Sequence, residues 1–145
     1  MIKNLYINSV NKQINKKQVH KLVKSLQQEL KFTIDSLFIN FIDSKRIKKI
    51  NLEYLKHNYP TDVISFNYTG GTEKIDGEIF ISIDDATEYA KKYKVTLNSE
   101  LKRLVIHGVL HLKGFNDNDK ISRSRMRKLE NNLLNKNNFT LLQAE

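Results

Sequence analysis

Between Lys16 and Leu30 the apolar positions are Val19, Leu22, Val23, Leu26 and Leu30. These three- and four-residue steps put one stripe along an α-helix, and Asn15 is placed to cap it. The period changes on either side. Ile2 to Asn8 reads as a short strand. Phe32 to Ile42 reads as a mostly buried strand, with Leu37, Ile39 and Phe41 alternating with Phe38, Asn40 and Ile42. Ser44 is placed to cap a second helix carrying Ile47, Ile50 and Tyr54 on one face, and Pro60 closes that region. Val63 to Tyr68 and Gly77 to Ile83 are strands separated by Gly70-Gly71, which predicts a hairpin with a loop longer than the two-residue type. Asp85-Ala86-Thr87-Glu88 has the form of a capping box for a helix reaching about Tyr93.

Asn98 is placed to cap a helix with Leu101, Leu104, Val105, Gly108 and Leu112 on one side. A last helix runs from about Asp119 to Asn135, with Ile121, Met126, Leu129 and Leu133 inward. Strands and helices are interspersed. The pattern predicts an α+β (mixed α/β) fold: a small mixed β-sheet packed with about five helices.

At 145 residues, positions 1–145 are expected to form a single domain. Cysteine is absent, so disulfides and thiolate metal sites are excluded together, which fits a reducing compartment. Met1 to Val10 lacks the apolar run of a signal peptide, and no stretch approaches the roughly 18 apolar residues of a membrane span. The expectation is a cytoplasmic protein without membrane contact.

The formal net charge is +9, and it is unevenly distributed. Residues 1–60 hold 12 Lys/Arg against 4 Asp/Glu, residues 61–100 hold 4 against 8, and residues 101–145 hold 9 against 4. Two basic segments flank an acidic middle, a distribution that favours a polyanion such as nucleic acid. Because 20 of the 25 cations are Lys, a lysine-rich compositional bias would produce the same charge, and the balance alone does not decide.

The chemistry concentrates in His107-Gly108-Val109-Leu110-His111-Leu112-Lys113-Gly114-Phe115-Asn116-Asp117. Residues four apart share a helix face, so His107 and His111 can address one point. The Gly114 turn can return a carboxylate to them. Two imidazoles, one carboxylate and an open position suit catalytic Zn²⁺, although Ni²⁺, Cu²⁺ or Fe²⁺ could bind the same set. Asp117 is the preferred third ligand; Asn116, Asp119 and Glu130 are rivals, and Asp119 is more simply an N-cap. In a zinc peptidase the residue after the first histidine is a Glu acting as general base. Here it is Gly108, which argues against that mechanism. A bare backbone at this point can let another element, or a substrate, come close. Among other candidates, His57 lies near Pro60-Thr61-Asp62 and could reach a substrate, and Asp62 and Ser65 could orient a substrate or a ligand. Arg123, Arg125, Arg127 and Lys128 could hold phosphates. His20 reads as a solvated helix residue.

At these residues the chain resembles the YbeY family of bacterial endoribonucleases and ribosomal RNA maturation factors. The family pattern His-Gly-x-Leu-His-Leu-x-Gly-Tyr-Asp-His is matched by His107, Gly108, Leu110, His111, Leu112 and Gly114, with Phe115 in place of Tyr. Upstream, Asn51, Tyr54 and Pro60-Thr61-Asp62-Val63-Ile64-Ser65-Phe66 match in order and spacing, and Gly77-Glu78-Ile79 is similar to the family's Gly-Asp-Ile. The likeness covers about residues 45–130. It departs twice. Asp117 stands where the family has a third histidine, and Leu55 stands where it has an arginine, a candidate phosphate contact. Both changes resemble a variant pattern of the Bacteroidetes branch.

The resemblance implies a metal-dependent, single-strand-specific endoribonuclease that matures ribosomal RNA, including the 16S 3′ end, and serves ribosome quality control. The ligands of one Zn²⁺ per chain would be His107, His111 and Asp117, and the catalytic group His107, His111 and His57. RNA contacts would come from Lys56, Arg123 and Arg127, with Lys56 or His57 replacing the lost arginine. The implied partners are an rRNA precursor and the ribosome or its small subunit. The alternative is a non-catalytic, ribosome-associated RNA-binding factor with a structural zinc.

Overall fold

The computed structural model describes residues 1–56 and 61–143. Along them run β1 (Leu5–Ser9), α1 (Lys16–Leu30), β2 (Thr33–Ile42), α2 (Ser44–Leu55), β3 (Val63–Asn67), β4 (Lys74–Ser82), α3 (Ile83–Tyr93), α4 (Leu97–Leu112) and α5 (Lys120–Asn135). The α+β class is the one the pattern predicts. The strands form one mixed sheet in the order β1-β2-β4-β3. β2 pairs in parallel with both β1 and β4, whereas β3 and β4 form the expected antiparallel hairpin, with Ser65 opposite Ile79. β3 is therefore an edge of the sheet.

Strand alternation sorts the side chains onto two faces. Leu37, Ile39 and Phe41 of β2 and Ile75, Ile79 and Ile81 of β4 enter the main core with Val19, Leu22, Val23 and Leu26 of α1 and Leu101, Leu104 and Val105 of α4. On the opposite face Ile42, Ile64 and Phe80 pack under Ile47 and Ile50 of α2. α4 is buried nearly all round, with Ile106, Val109 and Leu110 covered as well as the predicted stripe. It is the central helix of the domain, and α3 and α5 pack beside it.

Several local expectations are corrected. α2 is capped by Asp43, which accepts from the Arg46 N–H, so Ser44 is already helical. α3 is capped by Ser82, not Asp85; the Ser82 hydroxyl takes the Asp85 N–H, and Asp84 and Asp85 occupy the first turn, where the helix dipole favours them. α4 is capped by Thr96, and Asn98 instead ties the C-terminal segment, accepting from the Leu141 N–H and donating to the Phe139 carbonyl. Ile121 is 75% exposed, because the inward stripe of α5 passes through Met126, Leu129 and Leu133. Tyr54 is 69% exposed rather than packed inside α2. His20 is buried, not solvated: its Nδ1 accepts the Ile2 N–H at 3.2 Å. Burial, and then the nearby N-terminus, hold its pKa below the ordinary histidine value.

Candidate metal centre

His107 and His111 sit in the last turns of α4, where the helix crosses β3 and β4. Gly108 permits that crossing. A Cβ there would fall 2.9 Å from Ile79 Cγ2 and 3.2 Å from Ser65 Oγ. The Ser65 hydroxyl uses the space to donate to the Gly108 carbonyl at 3.3 Å. It is thus the sheet that comes close to the bare backbone. After Leu112 the chain turns back: Gly114 adopts φ +96°, its N–H bonds the His111 carbonyl, and the Phe115 N–H bonds the Leu110 carbonyl. A left-handed residue just past a helix end is the natural place for Gly. Asp119 then caps α5 by accepting the Ser122 N–H at 2.7 Å. Asp117, between turn and cap, is swung back toward the histidines.

The three donors form a compact triangle. His107 Nε2 and His111 Nε2 are 3.0 Å apart, and Asp117 Oδ2 lies 3.6 Å from the first and 3.5 Å from the second. Tetrahedral ligands at about 2.0–2.1 Å from one zinc stand roughly 3.3 Å from each other, so these edges bracket what one ion requires. All three side chains are half-buried, and together they could hold a metal ion. Burial lowers the His111 pKa, and repulsion from His107 adds to the effect, which keeps the ring neutral and able to ligate.

Behind the triangle lies a carboxylate–guanidinium network. Glu130 of α5 is buried, and its Oε2 is 2.6 Å from His107 Nδ1. A carboxylate there fixes the Nδ1–H tautomer and leaves Nε2 as the free donor. Arg103, one turn before His107, grips Glu100 through two bonds of 2.8 and 2.7 Å, reaches Glu130 at 3.4 Å and faces Asp62 at 4.0 Å. Burial alone would lower its pKa. The carboxylates of Glu100, Glu130 and Asp62 more than offset that and hold it firmly cationic. Three carboxylates thus face one guanidinium, and Asp117 adds a fourth negative charge beside the histidines, an imbalance that a bound cation would relieve.

The histidines and Asp117 open onto a cavity of about 570 Å³. Its walls include Asn51 and Leu55 of α2, Asp62, and Ser65 and Asn67 of β3. The predicted ligands His107, His111 and Asp117 are thus brought together, and Asp62 and Ser65 join them. Of the rivals, Glu130 supports His107 from behind and Asp119 caps α5, while Asn116 accepts the Asn118 N–H. Leu55 lines the cavity itself, so no arginine reaches inward from that position. Lys56 is exposed at the C-cap of α2 and is not among the lining residues. Arg123, Arg125, Arg127 and Lys128 lie on the exposed side of α5, also outside the lining. His57 lies outside the described residues. The sequence reading missed the Arg103–Glu100–Glu130 network. The i, i+4 step from Arg103 to His107 and the i, i+3 step from Glu100 were the available signals, but Glu130 is joined only by tertiary packing.

The family model described as Endoribonuclease YbeY matches residues 2–138. The chain is 40% identical over 123 residues to an Endoribonuclease YbeY of Chlorobium phaeobacteroides, covering 85% of this chain and 86% of the relative. It is also 40% identical over 122 residues to that of Parabacteroides distasonis, covering 83% and 84%. The solution structure of TM1509 from Thermotoga maritima superposes with a TM-score of 0.63 at 25% identity, covering 91% of this chain and 90% of that one.

Proposed function

The chain belongs to the YbeY family of endoribonucleases, and we propose that it is a metal-dependent endoribonuclease that hydrolyses phosphodiesters of ribosomal RNA precursors. The observation that carries this reading is the convergence of His107, His111 and Asp117 at one wall of an open cavity. A divalent metal at these donors supplies Lewis-acid stabilisation of phosphate charge and a nucleophile usable at neutral pH. Two imidazoles with one carboxylate favour zinc, one per chain. A structural zinc would be closed by four protein ligands. Three donors facing a cavity argue instead for a site that takes substrate, so the non-catalytic reading is not favoured.

In this scheme His107 and His111 bind through Nε2, Glu130 holds the Nδ1 proton of His107, and Asp117 closes the triangle from the Gly114 turn. The basic segments of the chain attract the RNA backbone, with Lys56, Arg123 and Arg127 as outlying contacts to flanking phosphates. The finer reading is of a single-strand-specific, cytoplasmic enzyme, its residues 1–145 acting as one domain, that matures the 16S 3′ end on the ribosomal small subunit. No helix of the described residues is long and apolar enough to cross a membrane. The test is cleavage of an unstructured precursor-derived RNA by wild type, chelated protein and His111→Ala. Cleavage by wild type alone supports the proposal. Undiminished cleavage by the chelated protein contradicts it.

A further inference from the structure

We propose that the groove between α2 and the outer sheet face holds an unpaired base of the RNA whose phosphodiester enters the metal cavity. The inference rests on the ribonuclease reading and adds a subsite to it. β3 and α2 wall both spaces. On β3, Ser65 bonds the Gly108 carbonyl and Asn67 the Leu112 carbonyl on the metal side, while Phe66 and Tyr68 turn the other way. On α2, Asn51 and Leu55 line the cavity, while Ile50 and Tyr54 line the groove. An extended chain crossing this sheet edge therefore meets both.

The groove, of about 510 Å³, has the chemistry of a base rather than of a phosphate. Tyr54, Phe66, Tyr68 and Phe80 surround it, and Tyr54 and Tyr68 are 69% and 59% exposed. Phe66 and Tyr68 lie nearly parallel, 6.4 Å apart, and Tyr54 and Phe80 each meet Phe66 edge-on at about 6 Å. Exposed rings that offer a π-face accept any base by stacking. In the floor, Glu78 accepts from the Tyr68 hydroxyl and from Asn40, each at 2.7 Å. That fixed carboxylate repels a phosphate but can accept from a base N–H. The rim is the reverse: Arg46 and Lys49 line it, and Lys45 and Lys48 accompany them on α2 against Glu53. Base inward and backbone outward matches this charge arrangement.

The test uses the full chain and a short unstructured RNA carrying 2-aminopurine, with the same backbone made abasic as control. Tyr54→Leu and Tyr68→Leu should each weaken binding of the 2-aminopurine RNA about tenfold and raise KM with kcat retained. Tyr54→Phe and Tyr68→Phe should restore it, and the abasic RNA should not distinguish variants from wild type. Equal binding by wild type and both Leu variants overturns the subsite. So does a wild-type dimer that the Leu variants dissociate without change in RNA affinity, since the groove would then seat a second copy. RNA that binds in this tyrosine-dependent way without being cleaved supports the groove and removes the nuclease reading. Metal-dependent cleavage unaffected by the Leu variants keeps the nuclease reading and removes the groove.

Discussion

The Glu130 carboxylate stands 2.6 Å from His107 Nδ1, on the side of the imidazole opposite the Asp117 triangle. A carboxylate that holds the far nitrogen of a ligating histidine sets the orientation of the ring and is worth about 10–100-fold in metal affinity. Glu130→Ala should weaken metal binding by that order in competition with a chromophoric chelator. Glu130→Gln, whose carbonyl can still accept from Nδ1–H, should lose less. Equal affinities for wild type and Glu130→Ala would show that His107 needs no such support.

Arg103 offsets the buried carboxylates of Glu100 and Glu130. Arg103→Met should destabilise the metal-free fold by about 3 kcal/mol or more at neutral pH, because it leaves those charges unpaired. Arg103→Lys should restore only part, since an ammonium cannot reproduce the two-bond grip on Glu100. Urea unfolding with chelator present, at neutral pH, checks the size of the loss and the partial rescue.

Gly108→Ala sets two effects against each other. Alanine improves helix propensity by about 1 kcal/mol. Its Cβ would stand 2.9 Å from Ile79 Cγ2, in a fully buried contact that overpacks at about 1–3 kcal/mol. The prediction is net destabilisation, with α4 shifted from the sheet and weaker metal binding. A stabilised Gly108→Ala variant with unchanged affinity would show that the crossing has slack.

The Tyr68 hydroxyl is pushed up to about 12 by desolvation and by its donation to Glu78. Among the six tyrosines of the chain it should ionise late, as a separate phase in phenolate absorbance that Tyr68→Phe removes. Its folded pKa exceeds the unfolded value near 10, so its contribution to stability is complete below that pH and fades as pH rises toward 12. A single phase near 10 for every tyrosine would contradict the Tyr68–Glu78 bond.

The grouping of His107, His111 and Asp117 was legible in the sequence because the information is local. His107 and His111 are one helical turn apart, and Asp117 follows a glycine turn. The strand alternation of β2 and the stripe of α1 were legible for the same reason. What supports the site was not. Glu130 approaches His107 only because α5 docks on α4, and the contacts of Arg103 with Glu130 and Asp62 likewise form only on folding. Caps failed where two candidates stood within three residues of each other: Asp43 against Ser44, Ser82 against Asp85, and Thr96 against Asn98. Each sequence choice had the right chemistry, but Asp43, Ser82 and Thr96 are the residues that keep extended backbone. The prediction of Ile121 as inward followed from its apolar character, whereas the inward stripe of α5 runs through residues three and four apart from Met126 onward.

The most direct measurement is metal content by mass spectrometry of purified wild type and Asp117→Ala after reconstitution with zinc. The account predicts close to one zinc per wild-type chain and its loss, or a large fall in occupancy, on removing the third donor. A wild type that takes up no metal, or an Asp117→Ala protein that keeps a full complement, would contradict the His107–His111–Asp117 centre.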